Sequence, residues 1–264
     1  MFARKRNQMP PALENKKGLV IGIANDHSLA WGCAHAFKAG GAELALTYLN
    51  DKAKPYIAPL AETLNAPIFM PLDVTKDDQW EALFDQIKTQ WGRLDFALHS
   101  IAFAPKADLQ GRVTDCSREG FLTAMDISCH SFIRMAKFCE SLMTEGGCLL
   151  TMSYYGAQRV VENYNLMGPV KAALEGSVRA LAVELGDRNI RVNALSSGPV
   201  RTRAASGLSD FDALMEKAVE KAPLHQITTI EDVGAMAAFL VSNAARHITG
   251  QTLFVDAGYN IVGS

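Results

Sequence analysis

The sequence predicts one α/β domain built on a doubly wound, seven-stranded parallel sheet. Short apolar runs alternate with longer amphipathic segments through the 264 residues, the pattern of strands that alternate with helices. Most of the apolar runs are too continuous for a sheet with one wet face, as expected when helices cover both faces. Right-handed crossovers in such a fold place the ligand at the carboxyl ends of the strands. We therefore expect the chemistry in the loops that follow strands.

The predicted elements follow one another without an internal repeat or a linker, so residues 1–264 form a single predicted domain. Residues 1–15 precede the first strand and are expected to be a flexible lead-in. The predicted strands are the apolar runs Gly18–Ala24, Ala42–Tyr48, Pro67–Met70, Leu94–Ser100, Gly147–Ser153, Arg191–Leu195 and Thr252–Asp256. The predicted helices are the amphipathic segments Leu29–Lys38, Asp51–Leu64, Asp77–Trp91, Arg118–Met143, Asn165–Leu185 and Ile230–Val241.

The composition is that of an ordinary globular protein and argues against several kinds of partner. Lysine and arginine number 26 against 28 acidic residues, a net charge of −2 without the basic excess that nucleic-acid binding needs. The longest fully apolar run, Ala235–Val241, is far shorter than the ~18–20 residues of a membrane span. The five cysteines form no CxxC pair and the six histidines no HExxH or HxH spacing. This favours free thiols in the cytoplasm and no metal site.

The turn after the first predicted strand is a candidate pyrophosphate site. Gly22 and Gly32 flank it, and the small residues between them let a backbone approach phosphate oxygens closely. Ser28 offers a hydroxyl, and the helix that begins at Leu29 offers free N–H groups and the positive end of its dipole. The glycine spacing is not a regular GxGxxG, so an ordinary strand-to-helix turn is the alternative interpretation.

The ends of the next three predicted strands are candidate contacts for the remaining parts of a dinucleotide. The second strand ends at Leu49 with Asp51 close by and no arginine for a 2′-phosphate, which favours NADH over NADPH. Asp73, followed by Val74, either bonds the adenine amino group or caps the next helix. The small residues over 100–105 either let the cofactor lie across the backbone or make a tight turn.

Tyr164 and Lys171 are the sharpest candidates for catalysis. They are seven residues apart, about two helical turns, so we expect them on one helix face after the fifth strand. The ammonium of Lys171 should lower the pKa of the Tyr164 phenol from about 10 and make it a strong donor to a developing oxyanion. Pro169 fits only if the helix begins near residues 165–168. A half-buried tyrosine and a solvated lysine are the alternative interpretation.

Collinear motifs make the chain resemble a known family. They are Gly22 with Ser28–Gly32, Asp73–Val74, His99–Pro105, Ser153–Ala157, Asn163–Lys171, Arg191–Ala194, Gly198–Thr202, Ala204–Gly207 and Val255–Gly258. From about Lys16 to Val262 the chain resembles the short-chain dehydrogenase/reductase superfamily, and within it the bacterial enoyl-acyl-carrier-protein reductases. The wider superfamily usually has a serine before the catalytic tyrosine. This sequence instead has Tyr154 ten residues before Tyr164, as the enoyl reductases do.

The resemblance implies a Rossmann-type fold, a reaction and a set of site residues. NADH, rather than NADPH, would donate a hydride to the β-carbon of a trans-2-enoyl thioester, the final step of the bacterial fatty-acid elongation cycle. Tyr164 would stabilise the enolate oxygen, Lys171 would hold the nicotinamide ribose, and Tyr154 would line the entry of the thioester. The implied catalytic residues are Tyr154, Tyr164 and Lys171. The implied cofactor-binding residues are Gly22, Ser28, Leu29, Asp73, Val74, Ser100, Ile101, Ala102, Lys171, Pro199, Val200 and Thr202. The implied substrate-binding residues are Ala104, Tyr154, Tyr164, Ala204 and Phe211.

The resemblance also implies a small helical substrate lid over residues 204–221, a homotetramer built on the helices after the fourth and fifth strands, and an acyl-carrier-protein or coenzyme A thioester as substrate. Relatives often carry basic residues on the lid, whereas this sequence has aspartates within Ser209–Ala213. Carrier docking would then use Arg201, Arg203 or Lys217, or coenzyme A thioesters would be preferred.

Relatives often have glutamine where this chain has Leu49, which bears on the contact with the adenine ribose.

Two other functions are compatible with parts of the pattern. One is a carbonyl or alcohol oxidoreductase of the same superfamily, which the position of Tyr154 disfavours. The other is a non-catalytic dinucleotide-sensing protein, which the pairing of Tyr164 with Lys171 disfavours.

Overall fold

A computed structural model of the chain describes residues 12–200, 202 and 211–262. Seven parallel strands form one sheet in the order β3-β2-β1-β4-β5-β6-β7, which confirms the predicted doubly wound fold. The strands are β1 Lys17–Ile21, β2 Glu43–Tyr48, β3 Ile68–Pro71, β4 Phe96–His99, β5 Gly147–Tyr154, β6 Ile190–Ser197 and β7 Thr252–Val255. The helices are α1 Leu29–Ala39, α2 Lys54–Thr63, α3 Asp77–Trp91, α4 Lys106–Leu109, α5 Arg118–Met125, α6 Ser131–Glu140, α7 Met167–Glu184, α8 Phe211–Lys221 and α9 Ile230–Val241.

The strand order reverses between β1 and β4, and this position is where open α/β sheets bind their ligands. Strand β1 pairs with β2 on one side and with β4 on the other, where Ile21 lies opposite His99. The two strands therefore end together. The loop after Ile21 and the loop after His99 leave the sheet side by side at its carboxyl edge.

Two apolar cores cover the two faces of the sheet, as the continuous apolar strands predict. One core joins the sheet to α3, α6 and α7, with Trp80 and Phe132 fully buried. The other joins it to α1, α2 and α9, where Phe37 packs edge-on against Phe96 at 4.7 Å between ring centroids. Alternate residues of each strand enter opposite cores, which is why the strands are mostly apolar, and the polar side chains of β4, β5 and β6 are themselves largely buried. In the part of the chain that the structure describes, no helix is both long and apolar enough to cross a bilayer.

The predicted helix Arg118–Met143 is wrong as one continuous element. It is divided into α5 and α6 by a π-helical turn over Asp126–His130, here called the π-turn, and α6 ends at Glu140. The Ser131 hydroxyl donates to the Ile127 carbonyl at 2.6 Å. A serine hydroxyl that bonds its own helix backbone competes with the regular ladder of hydrogen bonds, so the break has a local cause.

Two predicted boundaries also move. Helix α2 begins at Lys54 rather than at Asp51, because the Asn50 side chain accepts from the backbone N–H groups of Lys52 and Ala53 and holds a turn there. The flexible lead-in does not extend over residues 12–15. Leu13 is buried in the core, and its N–H donates to the Gly40 carbonyl at 2.8 Å.

Candidate active site

The turn after β1 has the geometry of an anion site. Gly22 has φ +101°, and a Cβ there would lie 2.1 Å from the Ser100 carbonyl oxygen. Ser28 caps α1: its hydroxyl accepts from the Trp31 N–H at 3.3 Å and donates to the Asn25 carbonyl at 2.7 Å. Helix α1 then begins at Leu29, so the free N–H groups of its first turn face the space outside the sheet. The residues present fit a dinucleotide pyrophosphate, and the contacts themselves stay predictions.

Substitution of Gly22 by alanine tests how tightly this turn is built. We expect Gly22→Ala to lower the free energy of unfolding by about 1–3 kcal/mol more than Gly111→Ala does. Gly111 is a matched control because its φ is +109° and nothing lies within 4 Å of a Cβ there. The two variants therefore share the backbone strain and differ in the clash with Ser100. Urea denaturation measures the difference, and equal losses would contradict the close approach.

The hydrogen bonds of Asp73 rule out one of its two interpretations, that of a helix cap. Its carboxylate accepts from the N–H of Thr75 at 3.0 Å and from the hydroxyl of the same residue at 2.8 Å. Helix α3 has Lys76 at its N-cap with no side-chain bond, so Asp73 does not cap that helix. The contact of Asp73 and the buried Val74 with adenine stays a prediction. At the tip of β2, Leu49 is 54% exposed and carries no polar group.

The loop after β4 has no turn or bend over residues 100–105, so the alternative of a tight turn is wrong. Ser100 donates its N–H to the Ile21 carbonyl at 3.0 Å, and this bond holds the loop beside Gly22. Ile101 and Ala104 pack partly against the core, whereas Ala102 is exposed. A dinucleotide that enters at the Gly22 turn would thus pass along the backbone of residues 100–104, as predicted for these residues.

Tyr154 and Tyr164 pack against each other, with ring centroids 4.7 Å apart and an interplanar angle of 59°. Tyr154 is the last residue of β5, and its buried hydroxyl has no hydrogen-bond partner among the described residues. Burial raises the pKa of both phenols. Tyr259 adds to the rise for Tyr154, and Tyr154 adds to the rise for Tyr164. The expectation that Lys171 lowers the pKa of Tyr164 is therefore wrong for this structure. Tyr164 therefore stays a neutral phenol, whose hydroxyl is able to donate a hydrogen bond.

Tyr164 lies in the turn before α7, which corrects the expectation that it shares a helix face with Lys171. The turn is formed by Asn163 and Asn165, whose φ angles are +62° and +40°. Helix α7 begins only at Met167, so Pro169 falls in its first turn, where no N–H is required, as predicted. A Cβ at Gly156 would lie 2.3 Å from Cδ1 of Tyr164, so the ring fits only because that residue is glycine.

Lys171 is a buried ammonium at 5% exposure, not a solvated one. Its Nζ donates to the Met152 carbonyl at 2.6 Å, two residues before Tyr154 on β5. Burial lowers the pKa of Lys171 to about 8, and the nearby Cys129 and Glu175 oppose that shift. A fraction of this side chain is then neutral just above physiological pH.

Glu175 is a site residue that the sequence reasoning missed. It lies one helical turn beyond Lys171 and is buried, and its carboxylate accepts from the Ser153 hydroxyl at 2.6 Å and from Nε2 of Gln158 at 3.0 Å. These bonds fasten α7 to the end of β5 on both sides of Tyr154. The one available signal was an acid four residues after Lys171, the spacing of neighbours on a helix.

Helix α8 covers the carboxyl edge of the sheet, where a cavity of about 270 Å³ opens beside Val200. Met215 and Ala218 of this helix are buried, and both approach Pro199. Its role as a mobile lid stays a prediction. Ala204, Arg201 and Arg203 lie outside the described residues, as does the side chain of Phe211. Thr202 is half-buried after β6, and its N–H donates to the Val200 carbonyl at 2.8 Å.

Comparison with known proteins assigns this arrangement to a family. The model of the family described as enoyl-(acyl carrier protein) reductase matches residues 22–260. The chain belongs to the enoyl-(acyl carrier protein) reductase family. An enoyl-[acyl-carrier-protein] reductase [NADH] of Rickettsia felis is 46% identical over 252 residues, which cover 96% of this chain and 97% of that protein. Its counterpart in a Nostoc species is 48% identical over 254 residues, 95% of this chain and 98% of its own length.

Solved structures of the same enoyl reductase family share the fold over almost the whole chain. The reductase of Anaplasma phagocytophilum, crystallised with NAD, is 50% identical with a TM-score of 0.93 and covers 97% of this chain and 98% of its own. The reductase of Bacillus cereus, crystallised with NADP+ and an indole naphthyridinone, is 44% identical with a TM-score of 0.94, over 96% and 99% of the two chains. The family and the fold expected from the motifs are thereby confirmed.

Proposed function

We propose that this chain reduces the trans-2 double bond of an enoyl thioester carried by acyl-carrier protein, with NADH as the hydride donor. This reaction is the final step of the bacterial fatty-acid elongation cycle. The observation that carries the proposal is the packed pair of Tyr154 and Tyr164 beside the buried Lys171, at the sheet edge where β1 and β4 end. The relatives named above as NADH-dependent enoyl reductases support it.

The two tyrosines and the lysine have different roles in the proposed reaction. Bound NADH would supply a hydride to the β-carbon of the enoyl group. Tyr164 donates its phenolic proton in a hydrogen bond to the thioester oxygen as that oxygen gains enolate charge. Lys171 holds the nicotinamide ribose hydroxyls, and Tyr154 lines the entry of the thioester. Protonation at the α-carbon then completes the saturated acyl chain.

The cofactor residues of the proposal lie along one path at the sheet edge. Gly22, Ser28 and Leu29 would hold the pyrophosphate, because the first supplies a close backbone and the others open α1. The loop of residues 100–102, together with Pro199, Val200 and Thr202, would border the nicotinamide. For the substrate we propose Ala104 and the two tyrosines, with Ala204 and Phe211 from the lid.

The assay that tests this proposal follows absorbance at the NADH band. Enoyl thioesters of acyl-carrier protein and of coenzyme A are compared with a panel of ketones and aldehydes. We expect oxidation of NADH only with the enoyl thioesters, and faster with the carrier-protein form. Turnover of the ketones alone would favour a carbonyl reductase, and binding of NADH without any turnover would favour a sensing protein.

We also propose a cytoplasmic homotetramer. The five cysteines are all free thiols, as is usual in a reducing compartment. Helices α5 to α7 expose apolar side chains that a partner chain would cover, among them Phe121, Leu122, Ile133 and, at 84% exposure, Val183. Light scattering should give four times the chain mass of 28.6 kDa. A mass of one chain would contradict the tetramer.

A further inference from the structure

Ser128 makes an unusual pair of bonds to a single residue of the loop after β4. Its hydroxyl accepts from the Phe103 N–H at 2.8 Å and donates to the Phe103 carbonyl at 2.9 Å. Ser128 itself is 0% exposed, so water does not reach its hydroxyl to compete for these bonds. The Phe103 side chain is 49% exposed and contributes little to anchoring. The backbone of Phe103 is thus held by one buried serine from another element.

The π-turn is what brings Ser128 to this loop. Immediately after the π-turn, Ser131 donates its proton to the Ile127 carbonyl at 2.6 Å, so its oxygen is left to accept from Nε2 of the buried His99 at 2.7 Å. Nδ1 of the same ring then accepts from the Thr151 hydroxyl at 3.1 Å. Burial, together with the charge of Lys171, lowers the pKa of His99 to about 3, so the ring stays neutral and the pattern stays fixed.

Two serines, one in the π-turn and one at the start of α6, therefore connect these elements to β4 and to the loop that follows it. Ser131 holds His99 at the end of the strand, and Ser128 holds Phe103 four residues further along. On the opposite side of the loop, Gly22 lies so close to Ser100 that the phosphate turn and the loop must move together. The segment of residues 100–104 is fixed between these contacts, and it is the segment proposed to border nicotinamide and thioester.

We propose that Ser128 is a positioning residue for the reduction: it holds the Phe103 peptide so that the backbone on either side, from Ile101 to Ala104, faces the nicotinamide and the enoyl thioester. This inference rests on the proposed function. We call the two bonds between Ser128 and Phe103 the clamp. Without the clamp the loop takes several conformations, and only a fraction of the molecules then binds ligand productively. Apparent affinity falls by that fraction.

Steady-state kinetics and amide hydrogen exchange of Ser128→Ala test the clamp. We expect KM for an enoyl thioester to rise about tenfold, the effect of losing hydrogen bonds of ordinary strength. KM does not depend on the fraction of enzyme that is folded, whereas a purely structural defect lowers only the apparent kcat. Exchange of the Phe103 amide, which donates to Ser128, should become at least about tenfold faster. Ser128→Thr, which keeps the hydroxyl, should restore both values to within about twofold.

Ser141→Ala is the matched control, because this hydroxyl donates at 3.0 Å to the Phe138 carbonyl at the end of α6, away from the loop and the π-turn. It should leave KM and the exchange of the Phe103 amide unchanged. If Ser128→Ala does not fold, Ser128→Cys keeps the volume with a much weaker donor and acceptor and takes its place. A KM and an exchange rate within twofold of wild type in the Ser128 variant overturn the proposal. Should the wild type reduce no enoyl thioester, the proposed function fails, while the exchange measurement still decides on the clamp.

Discussion

Replacement of Tyr164 by phenylalanine should lower kcat for an enoyl thioester by about 10²–10³, the usual effect of removing one oxyanion donor. The loss is smaller if a ribose hydroxyl of the cofactor shares the bond. KM should change much less, because the bond strengthens as enolate charge develops in the transition state. The variant keeps the ring, so its packing on Tyr154 and its fit beside Gly156 are preserved. Since burial raises the pKa of Tyr164, the phenol remains protonated at neutral pH and the wild-type advantage should not fade there.

Tyr154→Phe is the control that separates the two tyrosines. Its hydroxyl is buried without a partner among the described residues, so removing it should leave stability unchanged or raise it by about 1 kcal/mol. Its kcat should fall less than that of Tyr164→Phe, because we assign Tyr154 to the entry of the thioester. A larger loss of kcat in Tyr154→Phe would reverse the two roles. Unchanged kcat in both would remove the tyrosines from the mechanism.

Lys171→Ala should weaken NADH binding about 10- to 100-fold, in line with the loss of a charged hydrogen-bond donor. Calorimetric titration with NADH measures it, and turnover should slow as well because the nicotinamide loses its anchor. Lys88→Ala is a matched control, since that lysine is an exposed residue in the last turn of α3. An unchanged affinity in Lys171→Ala would refute the assigned role.

The pH dependence of NADH binding gives the same prediction a second readout. Burial lowers the pKa of Lys171 to about 8, so the side chain is cationic below that pH and loses its proton as the pH rises through it. Wild-type affinity should therefore be highest below pH 8 and decline above it. The affinity of Lys171→Ala should be flat over the same window. A parallel decline in both proteins would assign the titration to another group.

Much of the fold could be predicted because the sheet is buried on both faces. Its strands must then be continuous apolar runs, and the predicted Gly147–Ser153 differs from β5 by one residue. The break at the π-turn could not be predicted in this way. It depends on hydroxyl bonds to a helix's own backbone and to Phe103, which lies 25 residues from Ser128 in sequence.

The candidate site was predictable as a set of residues but not in its electrostatics. Residue spacing indicated that Tyr164 and Lys171 belong together, yet the effect of burial on a phenol depends on what covers it. Here Tyr154 and Gly156 pack on the Tyr164 ring, and the resulting loss of hydration outweighs any nearby positive charge. Glu175 and Ser128 were missed for a related reason, because their roles exist only through bonds between distant segments.

Transfer of deuterium from NADH labelled at C4 of the nicotinamide tests the central claim most directly. The wild-type protein is incubated with the labelled cofactor and an enoyl thioester, and the product is analysed by mass spectrometry and NMR. We predict a saturated acyl thioester that carries one deuterium on the β-carbon and a solvent-derived hydrogen on the α-carbon. An allylic alcohol or aldehyde with deuterium on the former carbonyl carbon, or a substrate recovered without label, would contradict the account.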